Sequence, residues 1–300
     1  MTRATGNAGL LCAAVLLSCA VATAQVVAAQ AHAGAPRIAI IIDDIGHSLV
    51  KGERVIALPA PVTLAVLPFT PYTAALAARA REAGKDVILH QPMQAIRAGR
   101  QERGTMTKAM DSTLLRKALR KSLAQVPHAI GVSNHTGSLL TSNAKSMAWL
   151  MEEVHAQGLF FLDSRTTDET VAVASARAAG VPNITRDVFL DHVVEPEAIA
   201  HQFNRALRLA ERQGFAVLIG HPHDATLSLL ERELPSLASR GFQLVPVRAL
   251  VDVPTTRPAA LARLETPGIL RTAPFRKSPP AQLHRRTAPP GQVQPGLPGS

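Results

Sequence analysis

The chain has 300 residues, of which 47% are hydrophobic and 3% aromatic, and its formal net charge is +10. This length and apolar content suit one large core with appendages at its ends. Residues 255–300 carry seven lysines and arginines against one glutamate, so +6 of the charge lies there and the remainder is only weakly basic. Because aromatic side chains for base stacking are also few, the composition argues against nucleic acid as a partner.

The first 33 residues have the pattern of an export signal. Arg3 supplies a basic start, the apolar run GLLCAAVLLSCAVATA follows, and Ala22-Thr23-Ala24 or Ala31-His32-Ala33 forms a cleavage site. The run is shorter than the roughly 20 residues of a membrane span. We therefore predict an exported, periplasmic protein. Both cysteines lie in this leader, which leaves none for the mature chain, and LLSC ending at Cys19 keeps a lipid-anchored form as an alternative.

Between residues 37 and 253, short apolar runs alternate with amphipathic stretches. The runs are continuously apolar rather than alternating, which indicates strands buried on both faces of a parallel sheet. We predict helices within residues 71–85, 111–125, 142–158 and 195–214, the last two ending at glycines that suit helix C-caps. The predicted strands are Ile38–Ile42, Thr63–Leu67, Asp86–Leu89, Ala129–Val132, Phe160–Leu162, Val188–Leu190, Ala216–Ile219 and Gln243–Val245.

Eight strands alternating with helices predict an α/β fold, namely a distorted and incomplete (β/α) barrel with parallel strands. We place this single domain at residues 34–253. From Pro254 onward, prolines are interspersed with basic residues and no apolar face is present. We predict that residues 254–300 form a disordered Pro-rich basic tail that contacts an anionic surface of the cell envelope. The oligomeric state is left open.

Polar residues able to bind a metal or move a proton follow the apolar runs. In a parallel barrel the carboxyl ends of the strands meet at one rim, where active sites are built. Six of the eight predicted strands end in carboxylate or imidazole groups: Asp43–Asp44, His90, Asn134–His135, Asp163–Arg165, Asp191–His192 and His221–Asp224. This preference for one end of the strands is the strongest indication of a functional site in the sequence.

The pair Asp43 and Asp44 places two like charges side by side directly after an apolar strand. Such a pair costs free energy unless a cation or a proton lies between the carboxylates. One carboxylate with two imidazoles is a common ligand set for a divalent metal. We predict that Asp44, His90 and His135 bind a divalent metal, with zinc expected, and that Asp43 acts on a water molecule beside it.

Several of these positions also allow a structural interpretation. His90 alone could be a core histidine, and Asn134 with His135 a turn pair. Ser164 could cap a helix while Asp163 and Arg165 form an ion pair, or all three could line a pocket. Asp191 could be structural or could support a neighbouring site residue.

The two imidazoles of His221 and His223, two residues apart, are hard to explain by packing, and we predict a catalytic role for them. The predicted substrate-binding residues are Asn134, Asp163, Ser164, Arg165 and Asp191.

Seven segments of the chain resemble, in order, the divergent polysaccharide deacetylase family of exported bacterial proteins. The resemblance covers residues 37–253 and implies a distorted (β/α) barrel related to metal-dependent carbohydrate esterases. It also implies removal of acetyl groups from N-acetylated sugars in polysaccharide or peptidoglycan. The segments are IAIIIDDIGHS, TLAVLPF, EAGKDVILHQPM, GVSNHTGSLLTS, FFLDSRTT, VFLD and IGHPHDATL.

The resemblance also implies roles for individual residues. Asp43 matches the family's general base, Asp44 its metal-binding carboxylate, and His90 the first histidine of an H-x-x-x-H box. The second histidine of that box is replaced by Gln94, which leaves His135 as the best candidate for the missing ligand. His221 or His223 matches a late histidine that serves as general acid. The alternatives are a non-catalytic glycan-binding envelope protein and a metal-dependent cell-wall amidase.

Overall fold

The computed structural model describes residues 34–97, 99 and 101–251. The predicted leader and the predicted tail lie outside these residues. Within the part that is described, no helix is both long and apolar enough to cross a membrane.

One parallel sheet organises the domain. Its order is β6-β5-β4-β3-β2-β1-β8-β7, and β9 pairs with the start of β1. Because this order has two ends, the sheet is a curled half-barrel rather than a closed one, which confirms the predicted distorted barrel and single domain. Its strands are β1 (Arg37–Ile45), β2 (Thr63–Val66), β3 (Asp86–Met93), β4 (Gly131–Thr136), β5 (Phe160–Asp163), β6 (Asn183–Thr185), β7 (Val188–Phe189), β8 (Phe215–Gly220) and β9 (Gln243–Leu244).

Seven α-helices lie within the described segments, and the three longest begin or end at capping residues expected from their chemistry. Asp111 and Asn143 accept hydrogen bonds from backbone N–H groups in the first turns of α3 and α4. Gly214 ends α6 in the left-handed conformation (φ 88°), as predicted. The helices are α1 (Leu49–Ile56), α2 (Thr73–Glu82), α3 (Ser112–Leu123), α4 (Ala144–Ala156), α5 (Ala172–Ala178), α6 (Pro196–Gln213) and α7 (Asp224–Glu233). Short 3₁₀ helices follow at Leu234–Ser236 and Val247–Leu250.

Side chains of the strands alternate between two hydrophobic clusters, one on each face of the sheet. Ile38, Ile40 and Ile42 of β1 belong to the larger cluster, which the helices cover. Ala39 and Ile41 belong to the smaller cluster inside the curl, with residues of β2, β3, β5, β8 and the last 3₁₀ helix. Burial on both faces explains why the strands read as continuous apolar runs.

The structure differs from the predicted strands in two respects that affect the site. Strand β3 continues to Met93 and β4 to Thr136, so His90 and His135 lie within the strands and not in the loops after them. The short strand β6 was not predicted, because its three residues carry too weak a pattern to separate from a loop.

Candidate metal and acid–base site

A bulge in β1 brings the two adjacent aspartates to one site. Successive residues of a strand point to opposite faces, so a regular β1 would separate Asp43 from Asp44. Instead, the register with β2 shifts between Ile42 and Ile45, and Asp44 adopts the left-handed conformation (φ 59°). Aspartate tolerates this conformation better than most residues. As a result, both carboxylates approach Nε2 of His90, at 3.5 Å from Asp43 and 3.3 Å from Asp44.

The two predicted histidine ligands lie on neighbouring parallel strands. His90 pairs with Ser133 in register, and Pro92 pairs with His135, so the two imidazoles lie near each other on one face of the sheet. Their ring centroids are 5.0 Å apart. His90 is buried, and its Nδ1 lies at hydrogen-bond distance, 2.8 Å, from Oγ of Ser133. This contact orients the ring so that its Nε2 faces the aspartates.

Asp44, His90 and His135 form a group whose candidate ligand atoms all lie within 4.8 Å of one another. Oδ1 of Asp44 lies 2.8 Å from Nδ1 of His135 and 3.3 Å from Nε2 of His90. This buried oxygen forms no hydrogen bond of regular geometry, although both ring nitrogens lie close to it. One carboxylate oxygen and two imidazole nitrogens that converge in this way fit a divalent cation.

The two aspartates have opposite ionisation properties. Complete burial raises the pKa of the Asp43 carboxyl above its ordinary value, and its Oδ1 has no hydrogen-bond partner. Burial would also raise the pKa of Asp44, but the imidazoles of His135 and His90 outweigh it and hold that pKa well below its ordinary range. One carboxylate is therefore suited to remain an anion beside a cation, and the other to accept a proton.

His221 completes the site from the end of β8. Its Nε2 lies 3.8 Å from Oδ2 of Asp44, and its Nδ1 lies 2.9 Å from Oδ1 of Asp191. The other carboxylate oxygen of Asp191 accepts hydrogen bonds from the backbone N–H of His221 (2.6 Å) and the hydroxyl of Thr226 (2.8 Å). Burial opposes a charge on the imidazole, but Asp191 outweighs it and raises the pKa of His221.

Asp191 itself was predicted to bind substrate, and the structure gives it a different position. Its side chain has no exposed surface, and its carboxylate forms hydrogen bonds with His221 and Thr226. Asp191 therefore orients His221, and its contact with a substrate stays a prediction.

The structure distinguishes the two histidines that the sequence left equivalent. His223 forms no ion pair with Asp43 or Asp44. Its ring lies 5.9 Å from that of His221, and it lines a cavity together with Asp44 and His221. His223 also belongs to a second group, with Asp191 and His221, that could hold a metal ion. However, Asp191 and His221 already bond to each other there, so an acid–base pair explains their arrangement without a second metal.

The predicted substrate-binding residues after β4 and β5 mainly hold the loops together. Asn134 accepts a hydrogen bond from the backbone N–H of Ser164 (2.9 Å) and donates to the carbonyl of Thr136. Asp163 accepts from the backbone N–H of Arg165 (2.9 Å), whereas the guanidinium of Arg165 pairs with Asp168 and not with Asp163. Burial raises the pKa of Asp163.

The helix-cap interpretation of Ser164 is also wrong, because α5 begins only at Ala172. The hydroxyl of Ser164 is buried and has no hydrogen-bond partner. Arg165 pairs through its guanidinium with Asp168 at 3.5 Å.

Three residues that support the site were not predicted. Ser133 and Thr226 orient His90 and Asp191, and alternation along β4 is a signal that could have identified Ser133. Arg186 is half-buried and donates hydrogen bonds to the carbonyls of Ser164 (2.7 Å) and Arg165 (2.9 Å). Burial lowers its pKa to about 10. No local pattern distinguishes Arg186 from a surface arginine.

Gln94, at the position where the family's box has its second histidine, does not contribute to the candidate metal site. Its side-chain oxygen accepts a hydrogen bond from the backbone N–H of Lys108 (2.8 Å). His135, reached from the neighbouring strand, supplies the second imidazole instead.

Comparison of the sequence and fold with known proteins identifies relatives of this chain. The chain is 35% identical over 242 residues to the uncharacterized protein YibQ of Escherichia coli, covering 81% of this chain and 75% of that protein. It is 31% identical over 253 residues to an uncharacterized protein of Haemophilus influenzae, covering 79% of this chain and 90% of that one. The crystal structure of an uncharacterized protein from Agrobacterium tumefaciens shares the fold, with a TM-score of 0.70 and 24% identity over 74% of this chain and 91% of that chain.

The model of the divergent polysaccharide deacetylase family matches residues 40–251. This match extends from within β1 past β9 and includes every residue of the site described above. The chain therefore belongs to the divergent polysaccharide deacetylase family.

Proposed function

We propose that this protein is a metal-dependent hydrolase that removes acetyl groups from an N-acetylated envelope polysaccharide. The observation that carries the proposal is the convergence of Asp44, His90 and His135, whose candidate ligand atoms all lie within 4.8 Å of one another. These three residues would hold the metal, and a nitrogen-rich set with one carboxylate favours zinc. When bound, such an ion polarises the acetamide carbonyl and lowers the pKa of a coordinated water toward roughly 7.

Asp43 is the proposed general base. Its buried carboxyl has a raised pKa and a free oxygen, both of which favour taking a proton from the attacking water. Its neighbour Asp44 is held as an anion. Asp44 would therefore bind the cation, and Asp43 would accept the proton.

His221 is the proposed general acid, and His223 is not. The Nε2 of His221 faces Asp44 at 3.8 Å, while Asp191 holds the opposite ring nitrogen at 2.9 Å. This carboxylate stabilises the protonated imidazole and fixes its orientation, so Nε2–H can be delivered to the leaving amine. Breakdown of the amide then yields acetate and a free amino sugar.

The proposed location and substrate are supported by the sequence and the family rather than by the geometry of the site. A leader with the pattern of an export signal supports a periplasmic protein, and the family name supports a polysaccharide or peptidoglycan substrate. The basic segment after Pro254 would contact an anionic envelope surface.

The test is elemental analysis of the purified protein, followed by acetate release from N-acetylglucosamine oligomers and from peptidoglycan, with and without chelator. We expect about one metal ion per chain and acetate release that chelation abolishes and zinc restores. His135→Ala should lose the metal, whereas His201→Ala, an exposed histidine on α6, serves as the matched control. A metal-free wild-type protein that binds glycan would contradict the proposal and favour a binding protein. Release of peptides in place of acetate would favour an amidase.

A further inference from the structure

A cavity of about 190 Å³ opens beside the candidate metal site, between the start of α1 and the loop after β8. Asp44 and His221 form one wall of it, so a molecule reacting at the site has direct access. Its volume is roughly that of six water molecules, which is enough for a carboxylate or phosphate group and the carbon atoms that attach it. The other polar side chains that line the cavity are His47, Ser48, Lys51 and His223.

All four side chains contain hydrogen-bond donors. Lys51 carries an ammonium group, and an imidazole carries at least one N–H donor. Oγ of Ser48 accepts a hydrogen bond from the backbone N–H of Lys51 (3.3 Å), which leaves the Ser48 hydroxyl hydrogen free to donate. The proposed mechanism uses neither His47 nor His223.

The charge balance also favours an anion. Asp44 is the one acidic residue in the lining, and a bound metal would neutralise it. Asp224 lies 4.0 Å from Nζ of Lys51, but it is mostly exposed and forms a closer contact, 3.2 Å, with the guanidinium of Arg54. Asp224 therefore pairs only weakly with Lys51, whose ammonium group can pair with a ligand in the cavity.

We propose that this cavity binds an anionic substituent, a carboxylate or phosphate, next to the acetamide group of the substrate. The inference rests on the proposed function for the identity of the reacting group, but it concerns a separate set of residues. It narrows the substrate class from any N-acetylated glycan to one whose sugars carry an acid. Lys51 supplies the charge, and His47, Ser48 and His223 supply the directional donors.

A binding experiment tests the cavity without depending on turnover. Inorganic phosphate and lactate are titrated separately into the metal-loaded protein by calorimetry, for wild type, Lys51→Met, Lys51→Arg and Lys117→Met. Lys117 is an exposed lysine in the middle of α3 and serves as the matched control. Loss of a partly exposed charge-assisted contact should weaken binding of at least one probe roughly tenfold in Lys51→Met only. Equal affinity in wild type and Lys51→Met would overturn the proposal, because the anion would then bind elsewhere, for instance at the metal.

The affinities for phosphate and for lactate show which of the two acidic groups the cavity binds more tightly. A kinetic comparison then tests whether the cavity contributes to binding of the substrate. Acetate release is measured on chitooligosaccharide and on a peptide-free glycan that contains N-acetylmuramic acid. We expect Lys51→Met to raise KM about tenfold for the acidic glycan and to leave KM for the neutral one unchanged. An equal change on both glycans would overturn the proposed selectivity. If the wild type releases no acetate, the proposed function fails, while the calorimetric result still decides whether the cavity binds anions.

Discussion

Replacing Asp44 by asparagine tests the central feature of the proposed site. The substitution keeps the size of the side chain and removes the anionic oxygen that lies 2.8 Å from His135 and 3.3 Å from His90. Two ligands bonded to zinc at about 2.1 Å in tetrahedral geometry are about 3.4 Å apart. The 3.3 Å between Asp44 and His90 matches this spacing, whereas Asp44 and His135, at 2.8 Å, would have to move slightly apart. We therefore expect Asp44 to contribute about as much to metal affinity as one ligand of a known zinc site.

The size of the expected effect follows from known zinc sites. Four protein ligands together contribute about 10–16 kcal/mol, or about 3 kcal/mol each. Loss of Asp44 should thus weaken metal binding roughly a hundredfold. Asp43→Asn, the same chemical change one residue earlier, should retain the metal and lose roughly a hundred- to ten-thousand-fold in acetate release, because an amide cannot accept the proton.

The assay is a competition between each variant and a chelator of known zinc affinity, measured beside acetate release. Asp44→Asn and His90→Ala should both lose metal, while Asp43→Asn and His221→Ala should retain it and fail in turnover. Full metal affinity in Asp44→Asn would refute the ligand set. Normal turnover in Asp43→Asn would refute the role of Asp43 as general base.

Four further predictions concern stability. Gly46→Ala should destabilise the fold by about 1–3 kcal/mol in chemical denaturation, because Gly46 has φ 136° and an added Cβ would lie 2.0 Å from Oγ1 of Thr70. Gly84→Ala, also at positive φ but with open space around it, should lower the free energy of unfolding less. Equal losses in the two variants would refute the steric argument. In chelator-treated protein, Asp43→Asn should raise the free energy of unfolding at neutral pH. The pKa of Asp43 is higher in the folded state than in the unfolded state, so the wild type loses stability as the pH rises through that raised pKa. A lower free energy of unfolding for the variant than for the wild type would contradict this. Chelation should lower the melting temperature of the wild type, since metal binds the folded state, and an unchanged value would argue against a folded-state metal site. Removal of residues 254–300 should leave the melting temperature nearly unchanged, because the whole sheet precedes them; a large fall would mean that this segment packs on the domain.

The sequence by itself determined the class of the fold and the identity of the polar residues at the rim. Apolar runs such as Ile38–Ile42 predict strands buried on both faces, because burial on two sides removes the usual alternation. The carboxyl ends of parallel strands must meet at one edge, so residues as distant as Asp44 and His135 could be assigned to one site. Both inferences depend only on local pattern and on the geometry that all parallel sheets share.

Tertiary structure alone decided how those residues work together. The bulge at Asp44 depends on the register between β1 and β2, and no local pattern in the chain encodes that register. The choice of His221 over His223 depends on Asp191, which reaches it from another strand end thirty residues away in the chain. The hydrogen bonds by which Arg186 supports the loop after β5 also become visible only once the chain is folded. These features arise from contacts between segments that are distant in sequence, where a difference of one residue in register changes which side chains meet.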